Sequence, residues 1–174
     1  SILNYRKFLE LSGNNIPAKI QYLISLFKAK RYTETVSVAE EILQYDNSRN
    51  YLNRIAGYSC YEKKPADYEK ARVFMETFFK NTTPDKVIVK DYTYYGRILL
   101  KLNDSSLVDM AYDQLKKGYL MDTTDMDLLS DIAVNAYISK KYDITIEMLN
   151  IKMNNRKADS RDMMTLGRAY YQNQ

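Results

Sequence analysis

Side chains able to perform chemistry are sparse in this sequence of 174 residues. Histidine, the commonest general base and metal ligand, does not occur in it. The single cysteine, Cys60, excludes an intrachain disulfide, and no cationic side chain stands at a fixed spacing to activate its thiol. We therefore expect Cys60 to be a small buried hydrophobe, and we expect that this chain is not an enzyme.

The acidic residues form two groupings that could suggest a metal site. They are Glu40–Glu41 and the set Asp122, Asp125, Asp127 and Asp131. The second grouping lacks the ordered spacing and the turn glycine of an EF-hand loop, and acidic residues are favourable in the first turn of a helix. The five glycines are scattered, so they cannot build a phosphate-binding loop. The sequence thus predicts neither a metal ion nor a cofactor.

Composition indicates a folded, helical chain with a substantial core. Hydrophobic residues make up 45% and charged residues 28%, a balance that argues against disorder. Five glycines and three prolines are few, and helices tolerate neither residue well. The net charge of +4 is well short of what marks nucleic-acid binders. No run of 18 apolar residues occurs, so we expect no membrane contact by this segment.

A residue column recurs along the chain at a nearly constant period, with bulky residues three and four positions after each member. The column is Leu23, Gly57, Gly96, Ala133 and Gly167, with spacings of 34, 39, 37 and 34 residues. A second column is Ser1, Thr35, Ala71, Ala111 and Thr145. The step from the second column to the next member of the first is 22 residues in four of five cases. Small residues let two helices approach closely, and neighbouring hairpins must stack because one hairpin cannot bury its apolar face alone.

These columns resemble the tetratricopeptide-repeat (TPR) family. Met163-x-x-Leu166-Gly167-x-x-Tyr170-Tyr171 follows the family pattern for the first helix of a repeat, with Met in place of Trp. Asp67-Tyr68-Glu69-Lys70-Ala71 matches the start of the second helix. The resemblance covers nearly the whole chain and implies an all-α fold, an α-solenoid of about ten helices. In that fold antiparallel helix hairpins stack into a right-handed superhelix.

The pattern also predicts where each helix and repeat lies. Helices are expected at 1–11, 16–29, 32–45, 49–62, 67–80, 87–102, 106–120, 125–139, 142–153 and 160–172. In repeat phase, 1–174 is a single array with a half repeat at 1–15, repeats at 16–49, 50–85, 86–125 and 126–159, and a half repeat at 160–174. Neither end carries a polar capping face, so we expect the chain to be a fragment of a longer array.

The first helices of TPR repeats line a groove that commonly takes an extended peptide or a helix. Carried over by position, the resemblance implies a partner-binding groove formed by Arg54, Tyr58, Tyr61, Arg97, Lys101, Tyr137, Met164, Arg168 and Tyr171. Aromatic residues mixed with arginine are typical of binding hot spots, and this mixture suits an acidic peptide or a terminal carboxylate.

Three functions are compatible with this sequence. The first is a protein–protein interaction scaffold that binds a peptide or helical segment of a partner. The second is a regulatory repeat domain of a larger enzyme or signalling protein. The third is a single-stranded nucleic-acid binder that stacks bases on tyrosines, although acidic residues interleave throughout and disfavour it.

The Tyr-, Asn- and Lys-rich composition resembles bacterial cell-envelope arrays; a periplasmic setting, a cytoplasmic setting and the oligomeric state stay open.

Overall fold

A computed structural model describes residues 15–174 as α-helices joined by short turns. Within this range the nine helices are α1 (Ile16–Lys28), α2 (Tyr32–Tyr45), α3 (Tyr51–Glu62), α4 (Tyr68–Lys80), α5 (Val89–Lys101), α6 (Val108–Met121), α7 (Met126–Ile138), α8 (Tyr142–Asn154) and α9 (Ser160–Gln172). The segments Pro84–Lys86 and Ser105–Leu107 are single 3₁₀ turns. Each helix begins and ends within two residues of its predicted bounds. The helix expected at 1–11 lies outside the described residues.

Two compact units are defined by the backbone contacts. The first comprises residues 15–87 together with Arg97–Ser105. In it α1, α2, α3 and α4 pack in chain order, each against the next. Apolar residues spaced three or four apart place one face of each helix inside. This core includes Ile20, Leu23, Ala39, Ile42, Leu52 and Ala56.

The second unit comprises Ile88–Gly96 and Ser106–Gln174. Here α6 to α9 pack in chain order, and α7 also contacts α9. Its fully buried side chains include Tyr112, Leu129, Ile132 and Met148. The alternation of helices therefore brings two successive first helices, α7 and α9, side by side within this unit.

Two glycines of the repeat column, Gly57 and Gly96, mark points of close helix approach, as the sequence suggests. A Cβ added to Gly57 would lie 2.7 Å from Met75 Sδ, and one added to Gly96 would lie 2.6 Å from Leu115 Cγ. Separations under about 3 Å are well inside van der Waals contact. Only the missing side chain lets α3 meet α4, and α5 meet α6, this closely.

Three of the turns share one hydrogen-bonded cap. After α1, the amide of Lys30 donates to Phe27 O (3.0 Å) and that of Arg31 to Leu26 O (2.9 Å). This is the Schellman arrangement, and Lys30 has the positive φ of 59° that it requires. Lys140 after α7 (φ 57°) and Arg156 after α8 (φ 55°) repeat the geometry. Glycine is the usual residue there, so the sequence gives no simple signal for these caps.

A buried cation ties the last three helices together. Lys152 of α8 is 7% exposed, and its Nζ donates to Ser130 Oγ in α7 and to Asp162 Oδ2 in α9, both at 2.6 Å. Asp162 also forms a capping box with Asp159 at the start of α9. A buried charge needs such satisfied partners. The orientation of α9 against α7 and α8 is thus fixed by polar contacts as well as by packing.

A search of residues 15–174 for membrane-spanning segments finds no helix with the necessary length and apolar character.

Candidate functional site

An open cavity of about 580 Å³ lies on the second unit between α7 and α9. Its lining includes four of the residues expected in the groove, Tyr137, Met164, Arg168 and Tyr171. Gly167 and Gln172 complete the lining. Residues separated by 27 or more positions along the chain are therefore adjacent, because α7 and α9 are successive first helices.

The cavity surface combines apolar side chains with one cation. Met164 and Tyr171 are exposed, as is Arg168. On α7, Val134 and Ile138 are exposed apolar residues one turn apart, on either side of Tyr137 in sequence. Exposed apolar patches rimmed by polar residues mark interaction sites more often than ordinary surface does.

Both helices that contribute to the cavity begin with an aspartate cap. Asp125 caps α7, its carboxylate accepting the amide of Leu128 at 2.8 Å. Asp159 caps α9 in the same way, accepting from the amide of Asp162 at 2.8 Å. Such caps satisfy amides that the first turn leaves unpaired and typically contribute about 1 kcal/mol each. The acidic residues near 122–131 thus include a helix cap, consistent with their reading as helix-start signals.

Arg54, in the first unit, is engaged by the fold itself. Its guanidinium lies 4.6 Å from the centre of the Phe78 ring, and its Nη2 donates to Lys86 O at 2.7 Å. Nearby, Asn50 Nδ2 donates to Phe78 O (2.9 Å) and to Thr82 Oγ1 (2.6 Å). These side chains line a separate cavity of about 610 Å³. Arg54 therefore ties α3 to the segment after α4, a role that the helical spacing alone did not indicate.

The other groove residues of the first unit differ in accessibility. Tyr58 is 5% exposed, so its ring is part of the core. Tyr61 and Arg97 are half-buried, whereas Lys101 is exposed at the end of α5. Position on a helical face therefore does not determine burial, because burial depends on which neighbour covers that face.

Aromatic pairs close three of the helix hairpins. The ring centroids are 6.0 Å apart for Phe27–Tyr32, 5.7 Å for Tyr61–Tyr68 and 5.6 Å for Tyr137–Tyr142, with interplanar angles of 65°, 56° and 62°. Tilted and edge-to-face contacts of this kind are favourable ring geometries. In each pair the first ring stands four residues after a member of the repeat column, which is Leu23, Gly57 or Ala133. The second ring is the first residue of the following helix.

Cys60 is fully buried and has no disulfide partner. Burial raises the pKa of its thiol from 9.0 to about 11, because desolvation disfavours the thiolate. The expectation of a small buried hydrophobe agrees with this placement.

The structure belongs to the class of all-helical hairpin arrays, in which side chains of successive first helices are adjacent on one surface. No family model matches the sequence, and no curated protein matches it significantly. Solved structures do match. One is the C-terminal part of a TPR repeat-containing protein from Cytophaga hutchinsonii, with a TM-score of 0.71 and 25% identity over 88% of this chain. The chain spans 57% of the length of that structure.

A second similar structure is YrrB, described as a TPR protein with an unusual peptide-binding site. It matches with a TM-score of 0.73 and 13% identity, over 98% of this chain and 84% of its own. The chain therefore has the α-solenoid fold of the tetratricopeptide-repeat family, and the resemblance seen in the sequence is confirmed.

Three exposed apolar residues of α7 and α9 are absent from the groove residues predicted from sequence. They are Val134, Ile138 and Met163. A recognisable signal existed for the first two, since apolar residues at i and i+4 beside an aromatic residue form a stripe. What the sequence could not show is that no helix of the described part of the chain covers this stripe.

Proposed function

We propose that this chain is a protein-interaction scaffold, not an enzyme, and that it binds a peptide segment of a partner protein at the cavity between α7 and α9. The single observation that carries the proposal is the convergence of Tyr137, Met164, Arg168 and Tyr171 around one open cavity of about 580 Å³. The volume lies within the range that binding pockets occupy. The TPR fold supports the proposal, and so does the peptide-binding site ascribed to the structural neighbour YrrB.

The chemistry of the cavity defines the peptide. Tyr137 and Tyr171 offer ring faces, and Met164 offers a flexible thioether that adapts to different apolar side chains. Arg168 provides a planar donor fork for a carboxylate. We therefore propose a ligand with one bulky apolar anchor residue and an acidic residue, or a terminal carboxylate, close to it.

Selection from a peptide display library, followed by fluorescence anisotropy with synthetic peptides, tests this function. Arg168→Glu should weaken binding of an acidic selected peptide about tenfold or more, because an exposed attraction becomes a repulsion. The matched control is Lys117→Glu, which makes the same charge change at an exposed position on α6 of the same unit. Equal affinity of the Arg168→Glu and Lys117→Glu proteins for every selected peptide would refute the proposed site.

The first unit supplies a weaker test. In this unit Arg54, Tyr61, Arg97 and Lys101 stay proposed contacts by their positions on the first helices, whereas Tyr58 belongs to the core and is no longer proposed as one. Charge reversal at Arg54 would break its contacts with Phe78 and Lys86, so loss of binding there would be confounded by loss of stability. Lys101→Glu is the cleaner change in this unit, since Lys101 is exposed.

A further inference from the structure

The cavity of about 610 Å³ in the first unit has a cationic lining. It is formed by side chains of residues 48–54, at the start of α3, and of residues 78–86, at the end of α4 and after it. Three of its lining residues are the cations Arg49, Arg54 and Lys86. None of the ten lining residues, all of which belong to the described part of the first unit, is acidic. Both segments that form the cavity therefore present positive charge to a molecule that enters it.

Two of these cations are held in place by contacts within the first unit. The Arg54 guanidinium lies 4.6 Å from the centre of the Phe78 ring, and its Nη2 donates to Lys86 O at 2.7 Å. Arg49 Nε donates to Asp46 Oδ2 at 2.9 Å. A cation whose side chain is already ordered loses less conformational entropy when it binds an anion. The lining is thus preorganised for a negatively charged group.

A neutral hydrogen-bond donor stands beside the cations. Asn50 Nδ2 donates to Phe78 O at 2.9 Å and to Thr82 Oγ1 at 2.6 Å, so it joins the two segments that form the cavity. A hydroxyl group that accepts one hydrogen bond keeps its own proton for another acceptor. Thr82 therefore adds a neutral donor to the lining.

Two carboxylates stand close to the cavity without lining it, and both are engaged by neighbouring groups. Hydrogen bonds from Ser48 and Arg49 lower the pKa of Asp46. A hydrogen bond from Thr83 lowers the pKa of Asp85. Lys86 is exposed, and its Nζ forms no salt bridge within residues 15–174. The Lys86 ammonium group is therefore the cation of the lining that is most available to a ligand.

We propose that this cavity binds a phosphate monoester group. Such a group carries close to two negative charges and three acceptor oxygens, whereas a carboxylate carries one charge. It therefore matches a lining of three cations and a neutral donor better than a carboxylate does. Lys86 supplies a point charge on a flexible stem, and Arg49 and Arg54 supply charge at fixed positions. The Tyr51 ring, 39% exposed, offers apolar surface to the carrier of the group.

The phosphate site is distinct from the cavity between α7 and α9. Arg54 is the one residue that its lining shares with the groove predicted from sequence. Binding of a phosphate group there requires no peptide in the second unit, so either proposal can fail without the other. A phosphorylated side chain of a partner protein and a small phosphorylated molecule both carry this chemistry.

Titration of the ¹⁵N-labelled chain with inorganic phosphate, followed in amide correlation spectra, tests the site. Signals of residues 48–54 and 78–86 should shift and saturate, whereas sodium chloride at matched ionic strength should give no saturating shift. Sodium acetate should need roughly tenfold higher concentration for half saturation, because it carries a single charge. Shifts that do not saturate with phosphate, or an equal affinity for acetate, would overturn the proposal.

Two substitutions locate the binding. Lys86→Gln removes the side-chain charge and keeps the backbone oxygen that accepts from Arg54. It should weaken phosphate binding roughly tenfold, as should Arg49→Gln. The matched control is Lys80→Gln, the same change at an exposed position of α4 outside the lining. Equal phosphate affinity of the Lys86→Gln, Arg49→Gln and Lys80→Gln proteins would contradict the proposed site.

N-acetyl-phosphoserine amide and glycerol phosphate distinguish the two sources of the group. Tighter binding of the phosphoserine compound assigns the site to a phosphorylated segment of a partner protein. Tighter binding of glycerol phosphate assigns it to a small phosphorylated molecule, and either result supports a monoester site. If inorganic phosphate binds and neither monoester does, the cavity does not accept the carrier and the proposal is wrong.

Discussion

Alanine substitutions at three glycines of one repeat column should change stability in different directions. At Gly96, the new Cβ would lie 2.6 Å from Leu115 Cγ and 2.8 Å from the backbone oxygen of Ala111. At Gly57, the nearest atoms are Sδ and Cγ of Met75, at 2.7 and 2.9 Å. At Gly167, nothing lies within 4 Å. The three sites share helical backbone and differ in what faces the added methyl group.

The expected magnitudes follow from two opposing effects. Alanine in a helix interior is favoured over glycine by about 1 kcal/mol. Overpacking a tight contact costs about 1–3 kcal/mol, and the cost is larger where the opposing atom is backbone. Gly96→Ala should therefore lower the free energy of unfolding by about 1–2 kcal/mol. Gly57→Ala should be close to neutral because the Met75 side chain is flexible. Gly167→Ala should raise the free energy of unfolding by about 0.5–1 kcal/mol.

Urea denaturation followed by circular dichroism at 222 nm provides the measurement, with m-values compared to confirm that each variant exposes the same surface. Gly96 and Gly167 belong to the same compact unit, so their comparison is the primary one. The reasoning is refuted if Gly96→Ala is as stable as the unmodified chain, or if Gly167→Ala is destabilising.

Three further changes test other parts of the structure. Lys140→Gly should raise the free energy of unfolding by about 1 kcal/mol in a urea titration, because Lys140 has a φ of 57° that glycine adopts without strain. Lys152→Met should cost about 3 kcal/mol by leaving the partly buried carboxylate of Asp162 without its cation, and adding Asp162→Asn should recover most of the loss in a double-mutant cycle. The native Cys60 thiol, with its pKa raised to about 11, should resist a disulfide reagent at pH 8 and react only when urea is added. Its raised pKa contributes stability that is complete below about pH 9 and is lost as the pH rises towards 11.

The sequence predicted the helices well because two periods coincide in it. The apolar spacing within each helix and the period of about 34 residues between successive first helices predict the same hairpins. Gly57 and Gly96 were interpreted as points of close approach, and their contacts with Met75 and Leu115 agree with that interpretation. At these positions the local sequence pattern agrees with the tertiary packing, so the residue columns predict the close helix contacts.

The candidate site was less predictable because side-chain exposure depends on neighbours that periodicity does not specify. Tyr58 and Tyr171 occupy comparable faces of first helices, yet one is 5% and the other 74% exposed. Arg54 looked like a groove cation, but Phe78 and the carbonyl of Lys86 hold its guanidinium. Such contacts join residues 24 or more positions apart, across a turn whose conformation the sequence pattern leaves open.

The aromatic pairs have a consequence for engineering this scaffold. Phe27 and Tyr32 meet across a short turn, whereas Tyr61 and Tyr68 meet across a longer one that contains Pro65, and the ring separations are nearly equal. The ring contact that closes a hairpin is thus kept when the connecting loop is longer, within the range of lengths that loop entropy allows. We therefore expect the loop after α3 to tolerate an inserted segment. An epitope tag or a recognition peptide placed after Pro65 should be exposed and should leave the register of the helices on either side unchanged.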